Sequence, residues 1–201
     1  PDCYEQLFSH KSNFIHYLLL KNKFNIVKSD LILAHKLLPE PVLEKRIHKK
    51  THTELKQAFK KKIINEVIEG VDDETYHLLL ESQKRLESTP THTFEELCQI
   101  HLLLLKAKLQ ENLLGAIICF RANSRVLNTF YVCDNLEVRS YKATHLNYYN
   151  VIKWAHNNNM EFVDFGSSTF GYEPHSALIY YKEKWATQPF QRLRYHLNII
   201  K

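Results

Sequence analysis

The sequence predicts an α+β fold, a mixed, largely antiparallel sheet flanked by helices. Three observations carry this. Residues 102–134 hold three strand-like apolar runs separated by two tight turns, an antiparallel meander. On either side of it in the chain stand segments with apolar residues at helical spacing. The 201 residues are 44% hydrophobic and 24% charged, a globular composition with room for one sizeable domain or two small ones.

Taken in order, the chain opens with an amphipathic helix in which Tyr4, Leu7, Phe8, Phe14, Ile15, Leu18 and Leu19 keep helical spacing. Residues 24–34 read as a strand, Pro39 and Pro41 make a loop, and 42–48 read as a second strand. Thr51-x-x-Glu54 has the capping-box pattern, backed by an apolar stripe of Leu55, Ala58, Phe59 and Ile63. A strand over 65–69 ends at Gly70. A helix over 72–86 follows, with Tyr76, Leu79, Leu80 and Leu86 on one face, then a loop with Pro90. Thr93-x-x-Glu96 is a second capping box, opening a helix to about 101. The meander strands are 102–109, 113–121 and 125–134. A helix over 141–158 carries Leu146, Tyr149, Ile152 and Ala155. A strand over 161–165 closed by Gly166, a helix over 176–185 and a strand over 190–197 complete the series, with no internal repeat.

The longest apolar run, 113–120, is eight residues, against the roughly 20 a membrane span needs. No charged start followed by an apolar stretch reads as a signal peptide. Cys3, Cys98, Cys119 and Cys133 are too scattered for a disulfide scaffold or a metal set, so reduced thiols in a cytoplasmic protein are expected. Met160 is the sole methionine, which leaves room for a segment before Pro1. The net charge of +5 is local: residues 45–62 hold eight basic residues against one acid, Glu54.

Phe162-Val163-Asp164-Phe165-Gly166-Ser167-Ser168, followed by Leu178-Ile179-Tyr180-Tyr181-Lys182-Glu183-Lys184-Trp185, carries a family resemblance. With the order meander, helix, strand, helix, strand, it resembles the GNAT superfamily of N-acyltransferases, in the branch related to Fem-type peptidoglycan amino-acid transferases. That branch shows a strand ending in DFG-S and a helix ending in K-x-x-[FW]-G. Lys49-Lys50 with Leu55 and Ala58 looks like its basic helix. The likeness implies a GNAT-like domain over 41–201, with 1–40 an extension or the remnant of a preceding lobe. There are two departures. Acetyl-CoA users open the helix after the meander with Arg/Gln-x-x-Gly-x-Gly/Ala, whereas here Arg139 is kept and Lys142 and Thr144 replace the glycines. Ala186 stands in place of the closing glycine.

The resemblance implies an N-acyltransferase, an acetyltransferase in the family pattern, that moves an acyl group from acetyl-CoA or another acyl-CoA to a small-molecule or peptide amine. Such a transfer must deprotonate an amine that is free base in about one molecule in 2,500 at pH 7 and must protonate the leaving group. By resemblance, Tyr131, Val132 and Cys133 would meet the thioester, while Arg139, Lys142, Ala143 and Thr144 would cradle the pyrophosphate at a helix N-terminus. Tyr180 or Tyr181 would be the leaving-group acid, with Tyr180 preferred. Asp164, Ser167, Ser168 and Lys182 would bind substrate. Each has a plainer reading: solvated cations at Arg139 and Lys142, core aromatics, a turn ordered by Asp164, and a snorkelling Lys182.

His48-x-x-x-His52 has helical ligand spacing, but lacks a following Glu and a third ligand, so no metal is expected. The basic run either steers a polyanion, CoA or the aminoacyl-tRNA used by Fem-type enzymes, or is a solvated helix face without interleaved stacking aromatics. Three functions follow: an acyl-CoA-dependent transferase, an aminoacyl-tRNA-dependent one, or a non-catalytic GNAT-like binding domain.

Overall fold

The computed structural model describes residues 2–3, 14–37, 47–170 and 173–198. In chain order they form β1 (Asp2–Cys3), α1 (Phe14–Lys21), β2 (Asn25–Lys36), α2 (Lys49–Lys60), β3 (Ile64–Glu69), α3 (Asp73–Lys84) and α4 (Phe94–Cys98). The strands β4 (Leu102–Leu109), β5 (Asn112–Arg121) and β6 (Val126–Asp134) follow, then a 3-10 segment over Leu136–Tyr141 and α5 (Ala143–Asn157). Last come β7 (Phe162–Ser167), β8 (Thr169–Phe170), β9 (Glu173–Pro174), α6 (Ser176–Glu183) and β10 (Gln188–His196). They group into two compact units, residues 37–163 and residues 1–36 with 164–201.

In the 37–163 unit, β3, β4, β5 and β6 pair antiparallel in sequence order. Alternation gives the sheet two apolar faces. On one, Leu102, Leu104, Ala116, Ile118 and Cys133 pack under Leu78 and Leu79 of α3 and Leu97 of α4. On the other, α5 buries Leu146, Val151, Ile152 and Ala155, and its first residue, Ala143, meets Ala107 and Leu114. Lys106 is buried on the α3 side, and its ammonium donates to Asp72 at 2.7 Å and Glu74 at 2.6 Å. Burial alone would lower its pKa, but the two carboxylates outweigh that and raise it.

Gly115 sets how closely α5 and β6 approach. A Cβ there would lie 3.1 Å from the Cys133 carbonyl oxygen and 3.8 Å from Ala143 Cβ. The Gly115 carbonyl accepts from the buried Asn147 amide at 2.9 Å, so backbone of β5 and side chain of α5 touch directly.

In the other unit β10 pairs antiparallel with β2 along its whole length, and β1 pairs with β10. Trp185 is fully buried, and its carbonyl accepts from His35 Nδ1 at 2.6 Å. Asp30, also buried, accepts from Thr169 at 2.7 Å and Arg192 at 2.9 Å, and pairs with Lys28 at 3.0 Å. Burial would raise its pKa, but these donors hold it at about 2.

Several sequence expectations change. The helix expected to open at Thr51 starts at Lys49, capped by His48, whose Nδ1 accepts from Lys50 N–H. Thr51 is buried and does not cap it. On α3 the core face is Leu78 and Leu79, whereas Leu80, about 100° further round the helix from Leu79, is exposed, and Leu86 lies beyond the helix end at Lys84 and is exposed too. The expected helix from 141 is a 3-10 segment up to Tyr141, and α5 begins at Ala143. The second capping box forms as expected, with Thr93 and Glu96 bonding each other's backbone amides. Tyr4, Leu7, Phe8, the Pro39–Pro41 loop and residues 42–46 of the expected strand lie outside the described residues; Ile47 and His48 are not in a strand.

Gly115→Val is expected to lower unfolding stability by about 1–3 kcal/mol or more, because two methyl groups must enter a closed contact. Urea denaturation checks this, and an unchanged midpoint would contradict the close approach.

Candidate functional site

The first candidate cluster lies where β6 ends. Tyr131 pairs with Ile118, Val132 with Ile117 and Cys133 with Ala116. The Cys133 thiol is buried, donates to the Ala116 carbonyl, and is pushed up to about 12 by burial, so it is no nucleophile near neutral pH. The Tyr131 hydroxyl lies 2.7 Å from Thr91 Oγ1 and accepts from Thr91 N–H at 3.0 Å. Both side chains are thus held by the protein itself.

The loop to α5 combines one left-handed residue with cations that already have partners. Lys142 sits at φ +62°, in the left-handed region that favours glycine, at the position of the first glycine in the acetyl-CoA pattern. Its N–H donates to the Arg139 carbonyl at 3.0 Å, and α5 has no side-chain cap. The charges, however, are already paired. Arg139 Nε donates to Asp134 at 3.0 Å, and Arg85 holds the same carboxylate at 2.9 Å. Glu54, from α2, reaches Lys142 at 3.4 Å and His145 at 2.9 Å. A carboxylate therefore occupies the first turn of α5, where a helix N-terminus favours an anion. Ala143 is buried and Thr144 half-buried in the same turn. Sequence reasoning missed Glu54 as a partner of this loop, having read it as part of a capping box.

Beside this loop, Lys61 donates to the Ser140 carbonyl at 2.7 Å and stands 4.3 Å over the Tyr141 ring. The Phe59 ring meets Tyr149 edge-on at 5.6 Å and is exposed. The basic helix therefore does have aromatic neighbours, from α5 and the loop before it, which its own sequence does not show.

The second cluster, in the other unit, is built at the end of β7. Gly166 takes φ +72°. Its N–H donates to the buried Asp164 carboxylate at 2.7 Å, so Asp164 orders the turn. Ser167 Oγ lies 3.0 Å from Thr169 Oγ1. Ser168 is buried, its N–H donating to the Leu31 carbonyl and its carbonyl accepting from His175 N–H. Into this turn α6 sends Lys182, buried, whose ammonium donates to the Ser167 carbonyl at 2.7 Å and the Gly166 carbonyl at 3.1 Å. Burial pushes its pKa down to about 8, against the pull of the Asp164 charge. Asp164, Ser167, Ser168 and Lys182 thus come together. Tyr180 is turned outward, 59% exposed, with Lys184 over its ring; Tyr181 is half-buried.

Among the described residues no three His, Cys, Asp or Glu side chains are placed to hold a metal ion, and no helix is long and apolar enough to cross a membrane. No protein-family model matches the sequence, and a search of curated proteins finds no match. Solved structures do match. FemX aligns at a TM-score of 0.70 and 14% identity, over 89% of this chain and 67% of that one. L-PGS from Bacillus licheniformis aligns at 0.62 and 10%, over 91% and 64%. The C-terminal DUF2156 domain of an Agrobacterium fabrum protein described as a lysylphosphatidylglycerol synthetase aligns at 0.63 and 8%, over 90% and 64%. The chain has the GNAT-like fold of the Fem-type transferases. It spans about two thirds of the length of each of these three structures, and at such identities the likeness is one of fold.

The Lys182 pKa has a thermodynamic consequence. Its folded value lies below the ordinary 10.5, so between about pH 8 and 10.5 the unfolded chain binds more protons, and stability rises with pH. Relative to Lys182→Met, wild type is expected to gain on the order of 3 kcal/mol from pH 7 to pH 11. Denaturation of the two chains across that range checks this; parallel curves would refute the buried, depressed ammonium.

Proposed function

We propose that this chain is an acyl-transferring unit of the Fem type, which moves an aminoacyl group from the ester of an aminoacyl-tRNA to an amine. Lys182 is the observation that carries this reading. In aminolysis of an ester, the amine nitrogen bonds to the carbonyl carbon and an electron pair moves onto its oxygen. The carbon–oxygen bond to the leaving group then breaks, the leaving oxygen gains a proton and the nitrogen loses one. A preorganised cation beside the developing oxyanion is the largest single aid to such a step. With a pKa near 8, Lys182 is about nine-tenths ammonium at pH 7. Its two hydrogen bonds to strand-end carbonyls leave a third N–H donor.

Two features favour a tRNA donor. Glu54 in the first turn of α5 and Asp134 on Arg139 satisfy the cations that a pyrophosphate would need, and Glu54 would repel that anion. The exposed cations Lys49, Lys50, Lys56, Lys60 and Lys62, with exposed Phe59 among them, suit a phosphate backbone. Acyl-CoA is the second reading, and the left-handed backbone of Lys142, a conformation that glycine adopts freely, is the observation in its favour.

A fluorescent aminoacylated minihelix is expected to bind at low salt and to weaken roughly a hundredfold between 50 and 200 mM, as about four phosphate contacts require. Titration calorimetry with acetyl-CoA is expected to show no heat. Micromolar acetyl-CoA binding without RNA binding would move the donor to acyl-CoA.

In a transfer assay, Lys182→Met is expected to cost about 10²–10³-fold in kcat. Wild-type transfer is expected to fall above about pH 8, and Lys182→Arg to lose that limb. Wild-type rates in the Met variant would make Lys182 a structural residue only.

A further inference from the structure

A separate concavity of about 590 Å³ opens in the 37–163 unit, within the range of small-molecule sites, about 300–1,000 Å³. It lies at the far end of the meander from the paired Gly115 and Asp134. Arg121, on its wall, is six residues along β5 from Gly115, on the order of 20 Å at strand spacing.

Register places two opposite charges on one face of the sheet there. Glu69 pairs with Leu103, Leu103 pairs with Cys119, and Arg121 is two positions beyond Cys119. Paired and alternate residues share a face, so Glu69 and Arg121 project on the same side with Cα atoms roughly 12 Å apart. Leu103 is buried between them, and Ile100 and Trp154 add apolar wall. The Arg121 guanidinium lies 5.2 Å over the Trp154 ring, a contact that leaves the in-plane N–H donors available. Among the described residues neither Arg121 nor Glu69 has an ion-pair partner, and they do not pair with each other.

We propose that this concavity binds a small zwitterion with an apolar side chain, an α-amino acid or a dipeptide. Its carboxylate lies on the Arg121 fork, its ammonium on Glu69, and its side chain against Ile100 and Leu103. Two unpaired opposite charges in one cavity favour a ligand that carries both charges, over an anion or a cation alone. The site does not rest on the transfer reading above, since it uses none of the residues placed there.

Cys98 lines the same cavity and is exposed, whereas Cys119 and Cys133 are buried. In a Cys3→Ser chain, maleimide alkylation of Cys98 therefore reports occupancy. The probes are L-leucine and leucyl-leucine, with 4-methylpentanoate and 3-methylbutylamine as single-charge counterparts. One zwitterion is expected to slow alkylation about tenfold at saturation, which also tells the amino acid from the dipeptide, with little effect from either counterpart. Arg121→Gln and Glu69→Gln are each expected to raise the half-protecting concentration about tenfold or more. Both side chains are exposed, so folding of these variants is expected, and circular dichroism verifies it. No protection by either zwitterion at about 10 mM, equal protection by a single-charge counterpart, or unshifted protection in either variant overturns the proposal.

Discussion

The turn at the end of β7 is organised around one ammonium group. Lys182 leaves water to bond two consecutive carbonyls, those of Gly166 and Ser167. Main-chain carbonyls at the end of a strand must find donors once buried, and a lysine amine on a four-carbon stem can reach both from a neighbouring helix. The cost is desolvation of a charge, visible in the downward shift of its pKa. Asp164 offsets part of it with its own charge while ordering the turn through the Gly166 N–H. Turn, carboxylate and ammonium are thus interdependent: losing the amine leaves two carbonyls short of donors, and losing the carboxylate leaves the ammonium less compensated.

The loop before α5 follows the opposite logic. Its cations are exposed or half-exposed and matched by local acids: Arg139 by Asp134, Lys142 by Glu54. A pair on an exposed cation such as Arg139 contributes little to stability, yet these pairs set the charge that the loop presents. An anion arriving there competes with carboxylates already in place. The described lysines of α2 have no such density of acidic partners, so that helix presents the more open positive charge.

The parts of the fold legible in the sequence were those fixed by neighbours in the chain. The meander follows from its apolar runs, and the Thr93–Glu96 box closes within four residues. The Asp164–Gly166 turn is equally local. Misreadings arose where distant residues decided the outcome. The Thr51-x-x-Glu54 pattern matches a capping box in the same way as the Thr93 one, but Glu54 is drawn to Lys142 and His145, far along the chain. Lys182, in the last turn of a helix rich in apolar and aromatic residues, gives no local sign of the bonds it makes, because the carbonyls that bind it belong to another element. Phe59 reads as part of an apolar stripe, yet lies exposed beside Tyr149.

The left-handed backbone at Lys142 bears on how such a loop changes over generations. A residue with a Cβ accepts that conformation at a modest cost, and glycine accepts it at none. The route of the main chain at this position is therefore compatible with both amino acids, and this loop departs from the glycine pattern at Lys142, which pairs with Glu54, and at Thr144. A side-chain exchange at such a position alters the charge the loop presents without asking for a new route of the main chain.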